Sequence, residues 1–340
     1  MKALVIKKER TASLVDKPRP KPGSGEVLLR IRRVGLCGTD LHTFRGENPL
    51  ISFPRIPGHE ISAVVEEVDP GVPETIVPGK KVTVFPYSSC GKCPACRMGR
   101  PNACRDNQTL GVQRDGALQE FFVVLWEELI PSEALTLTEL AMVEPLTIGL
   151  HAVDRAALSA GETVAIFGCG LVGLGAVAGA AQQGARVIAI DIDNGKLALA
   201  TECGASAVIN SREQPLSEIL ANLTHGDGPD VIIEAVGLPQ TFRAAVDEVT
   251  FIGRVVYIGY TDQPVEYQTE RFVKKELDIR GSRNALRPDF ERAMTVLQSG
   301  RFPVSKVLTK TVPLNEAVTA LSQWSDNPQA FTKIHVEMSA

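Results

Sequence analysis

Gly168-Cys169-Gly170-Leu171-Val172-Gly173 decides the fold of this chain. The hexapeptide follows a short apolar run, Thr163–Phe167, and opens an alanine-rich segment, Leu171–Gln183, that stops at Gly184. A strand, a glycine turn and a helix in that order are the setting in which G-x-G-x-x-G has a mechanism. Gly168 permits the tight turn. Gly170 lets the backbone approach a pyrophosphate lying on the helix N-terminus, with Leu171 and Val172 in the same turn, and Gly173 lets helix and sheet pack closely. The next apolar run, Arg186–Asp191, ends on a carboxylate that can accept both hydroxyls of a ribose and would repel a 2′-phosphate. Ile192 and Asp193 follow it, rather than an arginine, so the expected dinucleotide is NAD.

The alternation continues outward from this turn. Helices are expected near Lys196–Cys203, Pro215–Leu223, Gln240–Val249 and Thr269–Lys275, and strands at Ala207–Asn210, Val231–Ala235, Arg254–Ile258 and Leu277–Arg280. Strand and helix alternating in this way mean an α/β domain with a doubly wound parallel sheet. Arg254–Ile258 is expected near the sheet edge, where a second copy of the chain could pair with it. Pro288–Gly300 reads as a helix outside the alternation. Residues 1 to 150 read as β-rich and loop-rich, with strands such as Val27–Ile31, Ile61–Val68 and Lys81–Phe85 between proline and glycine punctuation. The tail Val307–Val336 looks mixed again and is expected to rejoin the first domain.

A chain of 340 residues suits two such domains, each with its own core. At 44% hydrophobic and 22% charged, the composition is that of a globular protein. A formal net charge of -4 gives no general pull on nucleic acid or anionic membrane. No apolar run reaches the roughly 18 to 20 residues that span a bilayer. Ala3–Ile6, the four apolar residues before charge returns, are too few for a signal peptide, so a cytoplasmic location is expected.

Four of the seven cysteines cluster as Cys90-x2-Cys93-x2-Cys96-x7-Cys104. Four thiolates close a tetrahedron around zinc and leave no open position, which makes such a site structural. An iron–sulfur cluster also takes four cysteines, and the spacing alone leaves it open. A DNA-binding finger is disfavoured because no basic recognition helix accompanies the loop. A second, dispersed set comprises Cys37, His59 and Glu144. Sulfur, nitrogen and oxygen donors together suit zinc, and three protein ligands leave one position for water or substrate. Each alone has a bland reading as a buried thiol, a core histidine or a helix-start carboxylate.

In order along the chain stand Gly35-Leu36-Cys37-Gly38-Thr39-Asp40-Leu41-His42, Pro57-Gly58-His59-Glu60, the four-cysteine loop, Glu144-Pro145 and the glycine turn. This series resembles the zinc-containing medium-chain alcohol and polyol dehydrogenases over essentially the whole chain. Ala63 and Asp69 stand where that family usually or often has glycine. The resemblance implies a GroES-like β-rich catalytic domain from 1–150 and 285–340 around a Rossmann domain at 151–284, in a homodimer or homotetramer. It implies that Cys37, His59 and Glu144 hold a catalytic zinc and that Cys90, Cys93, Cys96 and Cys104 hold a structural one, two Zn2+ per chain. Glu60 is the neighbouring carboxylate that can approach the catalytic ion, and Asp40 orients His59. Thr39 and His42 occupy the proton-relay positions. The activity implied is hydride transfer between NAD and a secondary alcohol, whose hydroxyl is acidified by the metal.

The substrate is read from weaker stretches. Gly46-x-Asn48-Pro49, Cys93-Pro94-Ala95-Cys96, Leu110-Gly111-Val112-Gln113-x-Asp115-Gly116, and Lys274-Lys275-Glu276 with Gly281-Ser282-Arg283-Asn284-Ala285 resemble the bacterial sugar-acid branch, such as L-gulonate and L-galactonate 5-dehydrogenases. A sugar acid needs a cation for its carboxylate. Arg283 is the first candidate, with Asn284 beside it for hydroxyls, and Arg45 and Arg114 follow. A neutral polyol or threonine is the alternative substrate, and a non-catalytic zinc protein is the alternative class.

Overall fold

The apolar runs around the glycine turn form a six-stranded parallel sheet in the computed structural model, which describes residues 1–338. Across the sheet the order is Ala207–Asn210, Arg186–Asp191, Thr163–Phe167, Val231–Glu234, Arg254–Tyr257 and Asp278–Gly281. The order reverses between Thr163–Phe167 and Val231–Glu234, the switch point beside which open α/β sheets bind ligands. Alternate residues of the strands, Ala165, Phe167, Ile188, Ile190, Ile232 and Val255, pack with Leu220 and Ala245 of the covering helices into one core. Arg254–Tyr257 is interior, paired on both sides, and the edge strand is Asp278–Gly281. The strand is near the edge, as expected, but the expectation that a second copy could pair with it is corrected, because Asp278–Gly281 already occupies its outer side.

The first part of the chain forms a seven-stranded sheet. It runs Leu308–Pro313, Lys333–Glu337, Glu26–Leu36, Glu60–Val68, Lys81–Val84 and Leu129–Pro131, and Phe121–Leu125 also pairs with Glu26–Leu36. The tail thus rejoins the first domain, with Lys333–Glu337 antiparallel to Glu26–Leu36. Leu4, Leu29, Ile31, Ile61, Leu118, Ile334 and Val336 are all fully buried in its core. Ala63 is buried within its strand, and Asp69 closes the following turn by accepting the Gly71 N–H at 2.9 Å.

The chain divides into two compact units, Met1–Glu144 with Val304–Ala340, and Pro145–Pro303. The division departs from 1–150 with 285–340 and 151–284 for two reasons. Leu137–Ala156 is one helix of 20 residues, and Pro145 lies inside it. The helix Arg287–Gln298 belongs to the second unit, where the buried Asp289 Oδ2 meets His151 Nδ1 at 3.0 Å. Among the described residues no helix is long and apolar enough to cross a membrane.

Candidate active site

Cys37 sits at the end of the strand Glu26–Leu36 and caps the short helix Gly38–Phe44. His59 and Glu60 stand at the start of the strand Glu60–Val68. Asp40 joins the two segments. Its buried carboxylate accepts the Cys37 N–H at 2.9 Å and the Gly58 N–H at 3.3 Å. Asp40 therefore ties together the backbones that carry Cys37 and His59. Burial, foremost, raises its pKa above the usual carboxylate range, while the neighbouring His59 opposes this.

Donor atoms of Cys37, His59 and Glu60 all lie within 4.8 Å of one another. Glu144 is buried nearby and accepts a hydrogen bond from the Tyr87 hydroxyl. Burial alone would lower the pKa of His59. The Cys37 sulfur, then Asp40 and Glu144, instead hold it well above its ordinary value. His59 Nδ1 is buried without a hydrogen-bond partner among the described residues. An orphaned imidazole nitrogen among a thiol and several carboxyl groups is a setting that favours positive charge, and its soft and borderline donors fit zinc. Of the residues expected there, Cys37, His59 and Glu60 form the close group, while Glu144 approaches as a charge neighbour of His59.

Thr39 Oγ1 is 3.7 Å from the Cys37 sulfur. His42, on the same short helix, is exposed, and its Nδ1 meets Glu47 Oε2 at 2.8 Å.

The four-cysteine loop converges. Sulfur separations are 3.5 Å for Cys93–Cys96, 3.8 Å for Cys93–Cys104 and 3.5 Å for Cys90–Cys104. Zinc–sulfur bonds of about 2.3 Å at tetrahedral angles put sulfurs about 3.8 Å apart, so the loop fits the ion with little movement. Backbone N–H groups of Arg105 and then Cys96 hold the Cys93 thiol down to about 6. Burial, then the neighbouring Cys93 and Cys104, push Cys96 up to about 11.

In the second unit the three glycines behave as the turn requires. Gly168 has φ +91, in the left-handed region. A Cβ on Gly170 would meet nothing within 4 Å, so the turn is open there to a ligand. A Cβ on Gly173 would lie 1.8 Å from the Gly168 carbonyl oxygen. Asp191 accepts the N–H groups of Cys169 at 2.7 Å, Ile192 at 2.7 Å and Asp193 at 3.0 Å.

Residues 23–134 match the alcohol dehydrogenase GroES-like domain, and residues 172–299 match the zinc-binding dehydrogenase domain. The chain is 32% identical to the L-galactonate-5-dehydrogenase of Escherichia coli K12, over 92% of each chain. It is 31% identical to a sorbitol dehydrogenase of Halalkalibacterium halodurans, over 95% of this chain and 94% of that one. The chain belongs to the zinc-type medium-chain alcohol dehydrogenases. Its two units are accordingly a GroES-like domain and a Rossmann domain. An alcohol dehydrogenase of Escherichia coli CFT073, solved with NADH, is similar with a TM-score of 0.91 and 31% identity, over 99% of each chain. A zinc-binding dehydrogenase of Sinorhizobium meliloti bound to NADP is similar with a TM-score of 0.90 and 31% identity, over 99% of this chain and 98% of that one. Members of this family are zinc oxidoreductases that use a nicotinamide dinucleotide and act on alcohols.

Of the candidate anchors for a carboxylate in this dehydrogenase, Arg45 and Arg114 have the following partners. Arg45 donates to Ser325 from Nε at 3.1 Å and from Nη2, and Arg114 meets Glu128 at 2.8 Å. Arg283 is exposed, and Asn284 next to it has φ 49. Tyr87 and Lys333 at the donor cluster went unnoticed in the sequence. Tyr87 had no signal. Lys333 stands in Thr332-Lys333-Ile334-His335-Val336, where alternation with Ile334 and Val336 reads as an outward lysine.

Proposed function

We propose that the chain is an NAD-dependent zinc dehydrogenase that oxidises a secondary alcohol of a sugar acid such as L-gulonate, at C5 to D-fructuronate, or L-galactonate. The observation that carries the reading is the close group of the half-buried Cys37 with the buried His59 and carboxylates, which suits one catalytic ion. Cys37, His59 and Glu144 would hold that ion, with Glu60 beside it, and Cys90, Cys93, Cys96 and Cys104 a second, structural one. Bound zinc would supply Lewis acidity to a substrate hydroxyl, and bound nicotinamide would accept a hydride.

The chain's own residues supply position and proton transfer. Thr39 Oγ1 accepts the hydroxyl proton of the substrate as it passes its own proton on, toward the ribose and His42. His42 lies one helical turn away, exposed, and Glu47 fixes its Nδ1 so that Nε2 can deliver the proton to solvent. The Asp191 carboxylate faces the ribose hydroxyls and repels a 2′-phosphate, which supports NAD over NADP. Gly168, Gly170, Leu171, Val172 and Gly173 cradle the pyrophosphate. Arg283, beside Asn284, meets the sugar-acid carboxylate. Two or four identical chains would assemble in the cytoplasm.

A panel of aldonates, neutral polyols and threonine, each with NAD and with NADP, tests the reading. Highest kcat/KM with a sugar acid and NAD supports it. A best substrate among polyols or threonine rejects the sugar-acid reading, and no reduction with any compound rejects the enzyme.

A further inference from the structure

His151 and Asp289 form a buried pair away from the metal donors, with side chains 5% and 2% exposed. His151 Nδ1 meets Asp289 Oδ2 at 3.0 Å, and the same oxygen accepts the Leu286 N–H at 2.6 Å. Burial by itself would raise the pKa of Asp289. The hydrogen bond from His151, then the Leu286 N–H, lower it, so the carboxylate stays ionised. An ionised carboxylate only accepts, and His151 Nδ1 is therefore the donor. Asp289 is also paired with Arg292, whose other terminal nitrogen meets Asp154.

Leu286 caps the helix Arg287–Gln298, at the end of the loop that follows the edge strand Asp278–Gly281. The start of that loop is held from the same helix as its end. Arg155 lies one turn beyond His151 on Leu137–Ala156, and its Nε donates to the Gly281 carbonyl at 3.1 Å. Arg280 Nη1 donates in return to the Arg155 carbonyl at 3.0 Å. The Ser282 N–H donates to the Tyr257 carbonyl at 2.8 Å. Between these grips Ala285 is buried and Arg283 is exposed. Asn284 stands at φ 49, a left-handed conformation that a residue other than glycine keeps only where its surroundings hold it. A loop gripped at both ends presents its side chains already ordered, so an anion that binds there loses little affinity to ordering the loop.

We propose that His151, acting through Asp289, is a positioning residue: it fixes the Ser282–Leu286 loop in the shape that presents Arg283 and Asn284 to the substrate. This rests on the reading of Arg283 as the sugar-acid anchor, and it adds the buried group that sets the anchor's place. A pair that only joined two helices would affect stability and leave substrate affinity alone.

Steady-state kinetics with L-galactonate and NAD, titration with AMP, and amide hydrogen exchange of the loop test this on the full chain. R283A is expected to raise KM for L-galactonate about tenfold or more. H151A is expected to raise it by a similar factor, with kcat within about twofold of wild type. Exchange across Ser282–Leu286 should quicken, while affinity for AMP, which occupies the adenosine half of the crevice, stays the same. H151N places an amide N–H where Nδ1 stood and is expected to restore KM. In R283A the further change H151A should add nothing, because the anchor is already gone. R155Q frees the other end of the loop and should raise KM in the same sense, which keeps the test intact if H151A fails to fold. KM unchanged in H151A or in R155Q, while R283A raises it, overturns the proposal and leaves Arg283 as the anchor. So does an H151A effect that is undiminished in R283A, or an equal loss of AMP affinity, which marks a general defect of the domain. No turnover of L-galactonate, or an R283A KM equal to wild type, overturns the anchor reading, and the role of His151 with it.

Discussion

Asp191 Oδ2 accepts the backbone N–H of Cys169 at 2.7 Å, which makes the end of one strand and the glycine turn a single hydrogen-bonded unit. The same carboxylate is proposed to read the ribose. Asp191→Ala is therefore expected to weaken NADH about tenfold or more, as loss of charge-assisted hydrogen bonds does. NADPH, relieved of repulsion, should lose far less, so the NADH preference narrows. Titration of both nucleotides into wild type and variant checks this, and an unchanged affinity ratio would count against the assignment.

Gly173 packs onto the Gly168 carbonyl so closely that a methyl group would overlap it at 1.8 Å. Gly173→Ala must push the helix Leu171–Gln182 from the sheet. The expected cost is about 1–3 kcal/mol of stability, with a loss of dinucleotide affinity. Chemical denaturation and NADH titration measure both, and a variant equal to wild type in each would contradict the packing argument.

Cys93 is within 3.8 Å of two other sulfurs in the four-cysteine loop. Cys93→Ser is expected to drop one zinc per chain and lower the melting temperature, while kcat of the surviving protein changes little. A stable variant with full zinc content would mean that this loop holds no structural ion.

His335 is buried with neither ring nitrogen partnered among the described residues. Burial foremost, then the charges of Lys333 and Arg33, press its pKa down to about 3. The unfolded imidazole titrates near 6.5, so between the two values the unfolded chain binds the extra proton. Stability is then fully present above about pH 6.5 and falls as pH drops toward 3. His335→Met should flatten this acid limb by about 2 kcal/mol at pH 5 relative to neutral pH. Denaturant titrations of both proteins at several pH values test it, and parallel acid limbs would refute it.

The Rossmann strands were legible because each is a short apolar run between turns. Thr163–Phe167, Arg186–Asp191 and Ala207–Asn210 stand in the structure as read. The helix Leu137–Ala156 was not. It contains Pro145, a residue that normally stops a helix, and its residues around Glu144 are apolar on every side, leaving no stripe to read. Its start was signalled by a capping box: Glu139 Oε2 accepts the Thr136 N–H at 2.8 Å, and Thr136 Oγ1 accepts the Glu139 N–H at 3.3 Å. The metal donors were readable as motifs, but the group that neutralises Glu60 was not. Lys333 is 273 residues from Glu60 in the chain and meets it only because the tail pairs with Glu26–Leu36. Local patterns carry elements; cross-sheet partners such as this one arise from topology.

Zinc content measured together with turnover, in wild type and Cys37→Ala, tests the central claim most directly. Two zinc ions per chain are expected in wild type, one in the variant, with turnover abolished and NADH binding largely kept. A variant that retains both ions, or turns over within about tenfold of wild type, would contradict a catalytic metal at Cys37.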